Sequence, residues 1–183
     1  MKSKSNVKTN LFALVFSGLM AALICVATSV LVVPLITGGY ANLGDCFVAL
    51  SGVMLGPVFG ALASGIGSCL ADIFLGYTIY APFTFVIKAV MAIIVYYISN
   101  LGKKQNFKMQ LLFMILATFV AECFMVGGYF VLEVFYYDFA GALANVFGNA
   151  IQGVFGCVSA SFVYVVVEKT NLFNFTNKLI KAK

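Results

Sequence analysis

The chain has 183 residues, of which 63% are hydrophobic and only 9% charged, against about 25% charged in an ordinary soluble domain. That excludes a soluble globular protein and leaves no room for a separate soluble domain beside about six membrane-spanning helices of roughly 20 residues. The net charge of +5 does not point to nucleic acid, because nearly all of the lysines that supply it sit in three short clusters beside apolar segments, the arrangement that orients a membrane protein.

The first cluster, Lys2, Lys4 and Lys8, precedes an apolar segment over residues 10–33. This segment is too long and too weakly charged at its end for a cleaved signal peptide, and no clear A-x-A site lies near residue 25. Along it Ala13, Ser17, Ala21, Cys25 and Ser29 recur every four residues, with Gly18 and Ala22 alongside. Small residues at that spacing let another helix approach closely. The neighbour is either a helix of the same chain or a partner protein.

The second segment, 43–55, is short. Its 13 or so residues reach only about 20 Å, less than the roughly 30 Å hydrocarbon core. Residues 38–42 are therefore expected to dip into the membrane as irregular backbone, which is tolerated only where protein buries it or it lines a cavity. Asn42 is placed to cap this helix, and Asp45 falls in its first turn, where the helix dipole favours an anion.

The third segment starts at Pro57, a good first helical position, and runs to 75. The fourth covers 82–101, the fifth 109–135 and the sixth 140–167. The predicted fold is all-α: a polytopic membrane protein of six transmembrane helices forming one domain over 1–183. Its core is 11–168, and 169–183 is a basic cytoplasmic tail. Lys103, Lys104 and Lys108 lie between segments four and five, and Lys169, Lys178, Lys181 and Lys183 lie in the tail. Both termini, the Lys103 connection and the Gly56–Pro57 turn are thereby assigned to the cytoplasm. The lysine-free connections 34–42, 76–81 and 136–139 are assigned to the outside. With no tryptophan, Tyr77, Tyr80, Tyr96, Tyr97, Tyr136 and Tyr137 supply the interfacial belt. The apolar residues of the tail fit either a short amphipathic segment on the inner leaflet or a frayed end.

Four ionisable residues lie within spans: Asp72, Lys88, Glu122 and, nearer an end, Glu133. A charge near the bilayer centre costs roughly 2.5–3.5 kcal/mol and usually pairs or faces a cavity. Counting along their helices puts Asp72 and Lys88 at similar depth, as an expected ion pair. In the sixth segment Asn145, Asn149 and Gln152 share one helix face. With Asp45, Asp72 and Lys88 all in the outer half, they suggest a polar pocket open to the outside, with loop 34–42 as its lid. The plainer alternative is a set of pairs and amides that only fix helix packing.

No phosphate-binding loop of the G-x-x-x-x-G-K-[ST] type occurs, so the chain does not hydrolyse ATP itself. It contains no histidine, which rules out a Ser–His pair at the "GIGS" turn and a zinc-protease motif. Cys25, Cys46, Cys69, Cys123 and Cys157 form no C-x-x-C; they read as small apolar residues, not metal ligands. Neither an enzyme nor a metal or cofactor site is expected.

The stretch "GGYANLGDCFVALSGVMLGPVFGALASGIGSCLADIFLGYTIYAPFTFVIKAVMAIIV", with "GNAIQG" at 148–153, resembles the S components of energy-coupling factor (ECF) vitamin transporters. The likeness extends over about 11–165 and is greatest to the riboflavin/hydroxymethylpyrimidine/pyridoxine-like branch. The resemblance implies a six-helix substrate-capture subunit working with a transmembrane coupling subunit and two cytoplasmic ATPases. It also implies that the first-helix stripe (Ser17, Gly18, Ala21, Ala22, Cys25) docks the coupling subunit, although Cys25 replaces an alanine of the usual A-x-x-x-A pattern. The expected ligand is a vitamin or precursor taken from outside: pyridoxine-like, hydroxymethylpyrimidine or riboflavin. Asp45, Asp72, Lys88, Asn149 and Gln152 are expected to bond its polar edges. Asn42 and Asp45 would close the outer end above Asp72 and Lys88, and Tyr40 or Tyr80 would stack on the ring. The rival reading is an ion-coupled secondary transporter with Glu122 as proton carrier, against which the lack of detectable inverted repeats counts. A third is a structural subunit with no ligand.

Overall fold

A computed structural model of the chain describes residues 3–30, 32–34 and 40–170. The elements are α1 (Ser3–Val30), β1 (Val32–Pro34), β2 (Tyr40–Asn42), α2 (Gly44–Leu75), α3 (Ala81–Gly102), α4 (Phe107–Tyr136) and α5 (Phe139–Lys169). Among the described residues, five helices are long and apolar enough to cross a membrane. Large apolar side chains such as Leu14, Phe119, Phe147 and Phe162 face outward, as a lipid-facing surface requires.

Five helices stand where six were expected, and the reason lies at Gly56. The expected second and third segments run together as α2, but α2 is not a rod. Gly56 has φ 81° and ψ −176°, a conformation open to glycine and strained for other residues. Pro57 follows and removes a backbone donor. The Oγ atoms of Ser51 and Ser64 are 2.6 Å apart, and Ser51 Oγ also donates to the Gly60 carbonyl at 3.3 Å. A straight helix would hold residues 51 and 64 about 20 Å apart. The chain therefore reverses at Gly56–Pro57, and arms 44–55 and 57–75 pack as a helical hairpin sealed by serine hydroxyls.

Residues 40–42 are not irregular, as expected, but form a strand. β1 and β2 pair antiparallel, with Val32 opposite Asn42, Val33 opposite Ala41 and Pro34 opposite Tyr40. The ladder satisfies backbone groups that hydrocarbon would leave unpaired. This ribbon packs on α5 and α1 and delivers the chain to the start of α2. There the Asn42 carboxamide oxygen accepts from the Gly44 amide at 2.8 Å, meeting one of the free amides of the first turn. The N-cap position of α2 is Leu43, so Asn42 bonds this turn from one residue outside it and is not the cap expected; Asn106 and Asp138 are themselves the N-caps of α4 and α5, accepting from Met109 N and Gly141 N. The middle of the expected lid, 35–39, and the tail from 171 lie outside the described residues.

The small-residue stripe of α1 corrects a second expectation. Ala13, Ser17, Ala21 and Cys25 are buried within the chain. The Ser17 hydroxyl turns back to donate to the Ala13 carbonyl at 2.7 Å. The Ala21 carbonyl sits so close to α2 that a Cβ on Gly67 would lie 2.5 Å from it. Ser17, Ala21 and Cys25 thus pack against the chain's own α2. Gly18 and Ala22, one residue further round the helix, are exposed. A four-residue spacing of small residues specifies close approach, and it does not say by whom.

The core runs along the bundle axis. Ile24 of α1, Val48 and Leu50 of α2, Met91 and Val95 of α3, and Met114 and Met125 of α4 are buried together.

Candidate ligand-binding site

Four helices each turn two polar or aromatic residues, four apart or nearly so, toward one cavity. Ser68 and Asp72 come from α2, Thr84 and Lys88 from α3, Tyr129 and Glu133 from α4, and Asn149 and Gln152 from α5. Residues four apart on a helix lie on one face, so each pair forms a strip down the wall. Thr28 of α1, Asn42 of β2, and Tyr77 and Tyr80 of the α2–α3 turn complete the lining. The space between them is about 490 Å³ with the open mouth and its solvent included. It lies at the end of the bundle that carries the β ribbon.

Lys88 of the lining is held from behind by an ion pair. Lys88 is 3% exposed and Asp45 1%, and the two form a salt bridge between α3 and α2. The Lys88 ammonium also donates to Met125 Sδ at 3.2 Å and lies 5.8 Å from the centre of the Tyr129 ring. The second Asp45 oxygen accepts from Gln152 Nε2 at 2.7 Å, tying α5 into the same junction. Two expectations change here. The carboxylate that meets Lys88 is that of Asp45, not Asp72. Asp45 does not close the mouth but lies behind the wall, holding two residues that line it. The physical reason is the ribbon: it carries the chain into the bundle before α2 begins, so the first turn of α2 starts at the depth of Lys88.

The other expected residues fall as follows. Asn42, Asp72, Tyr80, Lys88, Asn149 and Gln152 all line the cavity. Asn42 does so while bonding Gly44, where a Cβ would sit 1.9 Å from Thr28 Oγ1 and 2.9 Å from Asn42 Oδ1; a side chain there would displace two groups of the lining. Tyr40 is placed by its backbone in β2, and its side chain lies outside the described residues. Glu122 is buried away from the cavity, against Gly153 and Gly156 of α5 and close to Asp45.

At the mouth, the Tyr80 hydroxyl donates to the Tyr137 hydroxyl at 3.1 Å. The Tyr80 ring lies 6.3 Å from those of Tyr77 and Tyr136. Burial first, and then that hydrogen bond, push the Tyr80 phenol above its ordinary range, so it stays a neutral donor and acceptor. Deeper in, Thr84 Oγ1 and the Tyr129 hydroxyl are 3.0 Å apart. Glu133, 3% exposed, lies beside Asn145. Its Oε2 and the Nδ2 of Asn149 have no hydrogen-bond partner among the described residues.

Sequence reasoning missed Thr28, Ser68, Tyr77, Thr84, Tyr129 and Glu133 as lining residues. Three had a usable signal: Ser68, Thr84 and Tyr129 each lie one turn before a charge within a span. Thr28 had none. The cavity offers hydrogen-bond donors, acceptors and ring faces, an arrangement that binds and does not react.

The family described as "ECF-type riboflavin transporter, S component" matches this chain over residues 8–169. A protein from Pyrococcus woesei, described as "Uncharacterized protein in gap 3'region", is 33% identical over 135 residues, spanning 72% of this chain and 84% of that protein.

Proposed function

This chain belongs to the family of ECF-type riboflavin transporter S components, and on that premise we propose that it captures a small heteroaromatic vitamin or vitamin precursor from outside the cell. S components are transport subunits, not enzymes, and work with ECF transmembrane and ATPase modules. The proposed ligand is pyridoxine-like, hydroxymethylpyrimidine or riboflavin. The observation that carries this reading is the polar cavity inside an apolar bundle. A buried polar group left without a partner costs about 1–3 kcal/mol; a ligand bonding Glu133 and Asn149 recovers that. Tyr77, Tyr80 and Tyr129 offer ring faces to a flat heterocycle.

With the two arms of α2 counted separately, the chain crosses the membrane six times. The lysine clusters then put both termini in the cytoplasm and the cavity toward the outside. Docking to the coupling subunit falls to the exposed side of α1 around Gly18 and Ala22, since the buried side is occupied. Native mass spectrometry of the purified protein identifies any ligand carried through purification, and proteoliposome uptake tests the mechanism. Uptake is expected only with the coupling subunit, the ATPases and ATP present. Uptake by this chain alone, driven by a pH gradient, would replace the proposal with the Glu122 proton-carrier reading.

A further inference from the structure

The cavity has a direction. Its acceptor end is near the mouth: Glu133 lies three residues from the end of α4, about 5 Å along the axis, with Oε2 unpartnered among the described residues. Its donor end is deeper. Asn149 lies ten residues into α5, about 15 Å along, with Nδ2 likewise unpartnered. Lys88 lies seven residues into α3, about 10 Å along. Its ammonium has three protons, and Asp45 and Met125 take two, leaving one for a ligand. Lys88, the buried lysine of this cavity, is already engaged with Asp45 and does not reach Glu133. A buried carboxylate is costly until a cation or strong donors reach it.

Resting on the vitamin-binding reading above, we propose that the ligand is a single small aromatic ring bearing a protonated amine. The amine lies toward the mouth at Glu133, and a hydrogen-bond-accepting edge of the ring lies toward Lys88 and Asn149. A hydroxyl in place of the amine still donates to Glu133 but brings no charge. The ammonium adds a full opposite charge within hydrogen-bond distance of a buried carboxylate, where Coulomb attraction is much stronger than in water, so the amine is preferred.

The test uses matched pairs on one ring, titrated calorimetrically into the full-length protein freed of carried-over ligand. The pairs are pyridoxamine against pyridoxine, and 4-amino-5-aminomethyl-2-methylpyrimidine against its 5-hydroxymethyl counterpart; riboflavin is titrated alongside. The amine of whichever pair binds is expected to be at least about tenfold tighter. Glu133→Gln should erase that preference, weakening the amine by at least about tenfold and the alcohol by less. Should that variant fail to fold, the wild-type comparison decides. Equal affinity within a pair, preference for the alcohol, or tightest binding of riboflavin overturns the amine proposal and leaves the vitamin-binding reading standing. If no probe binds, both fall.

Discussion

Asp45→Asn in the ligand-free protein tests the junction beneath the cavity. The carboxylate serves two donors, Lys88 and Gln152. An asparagine keeps one acceptor oxygen and turns an NH₂ toward the other donor, so one bond is lost and a donor faces a donor. Lys88, 3% exposed, is left as a buried ammonium without its counter-charge. Removing one partner of a buried pair costs about 3–5 kcal/mol. Each kcal/mol moves Tm by about 2–4 °C in a chain of this size, so even the lower figure implies a fall of about 6–12 °C. Lys88→Met should cost a similar amount, because it strands Asp45. The double variant should recover most of the loss: the new asparagine still accepts from Gln152, and the new methionine packs beside Met125. Replacing a whole buried pair with uncharged groups is often close to neutral. Thermal melts of the four proteins in detergent, without ligand, close the cycle. A coupling energy of at least about 4 kcal/mol is expected, because two losses of about 3 kcal/mol or more each shrink to a small remainder. Single effects that simply add, with coupling below about 0.5 kcal/mol, would mean that the pair does not hold the junction.

Cysteines at Ser51 and Ser64, in a background lacking the native five, should form a disulfide on mild oxidation, since the native hydroxyl oxygens are 2.6 Å apart; no cross-link would mean that α2 does not fold back. Lys104→Cys and Thr78→Cys, each alone in that background, should label from opposite sides with an impermeant thiol reagent, and external labelling at position 104 would invert the orientation. Gly18→Leu with Ala22→Leu should leave Tm and ligand affinity unchanged and abolish co-purification with the coupling subunit. Ala21→Leu, by contrast, drives a side chain into the α1–α2 contact at Gly67 and should lower stability by about 1–3 kcal/mol; unchanged melting would place the stripe elsewhere.

Much of the bundle was legible because lipid imposes long apolar runs, and the breaks between them coincide with Pro34, the Gly76 turn and the Lys103 connection. The cavity was partly legible for the same reason. Polar residues inside spans are few, and Asp72, Lys88, Asn149 and Gln152 stood out against their apolar neighbours. The partner of Lys88 was not legible. Depth was counted from the ends of apolar segments, whereas the depth of Asp45 depends on the β1–β2 pairing, which brings the chain into the bundle before α2 begins. The destination of the Ser17–Ala21–Cys25 stripe was hidden because helical spacing names a face and not its neighbour. Tyr129 was passed over as one more aromatic residue in an apolar helix; only its place one turn before Glu133 distinguishes it.

The Asp45–Lys88 pair also bears on how the chain is made. Its members are 43 residues apart, and at about 5–20 residues per second Asp45 is synthesised about 2–9 s before Lys88. During that interval the carboxylate has no counter-charge. Arm 44–55, about 18 Å long, is too short to cross the bilayer alone. It is therefore expected to wait at the membrane surface until arm 57–75 emerges, and to move to its final depth only once α3 brings the lysine. Biogenesis then has a checkpoint written in electrostatics: nascent chains arrested with residue 75 just clear of the translocon should leave a cysteine at position 45 open to a water-soluble reagent, and chains arrested past residue 102 should protect it. Protection at both lengths would show that the carboxylate enters the membrane before its partner exists.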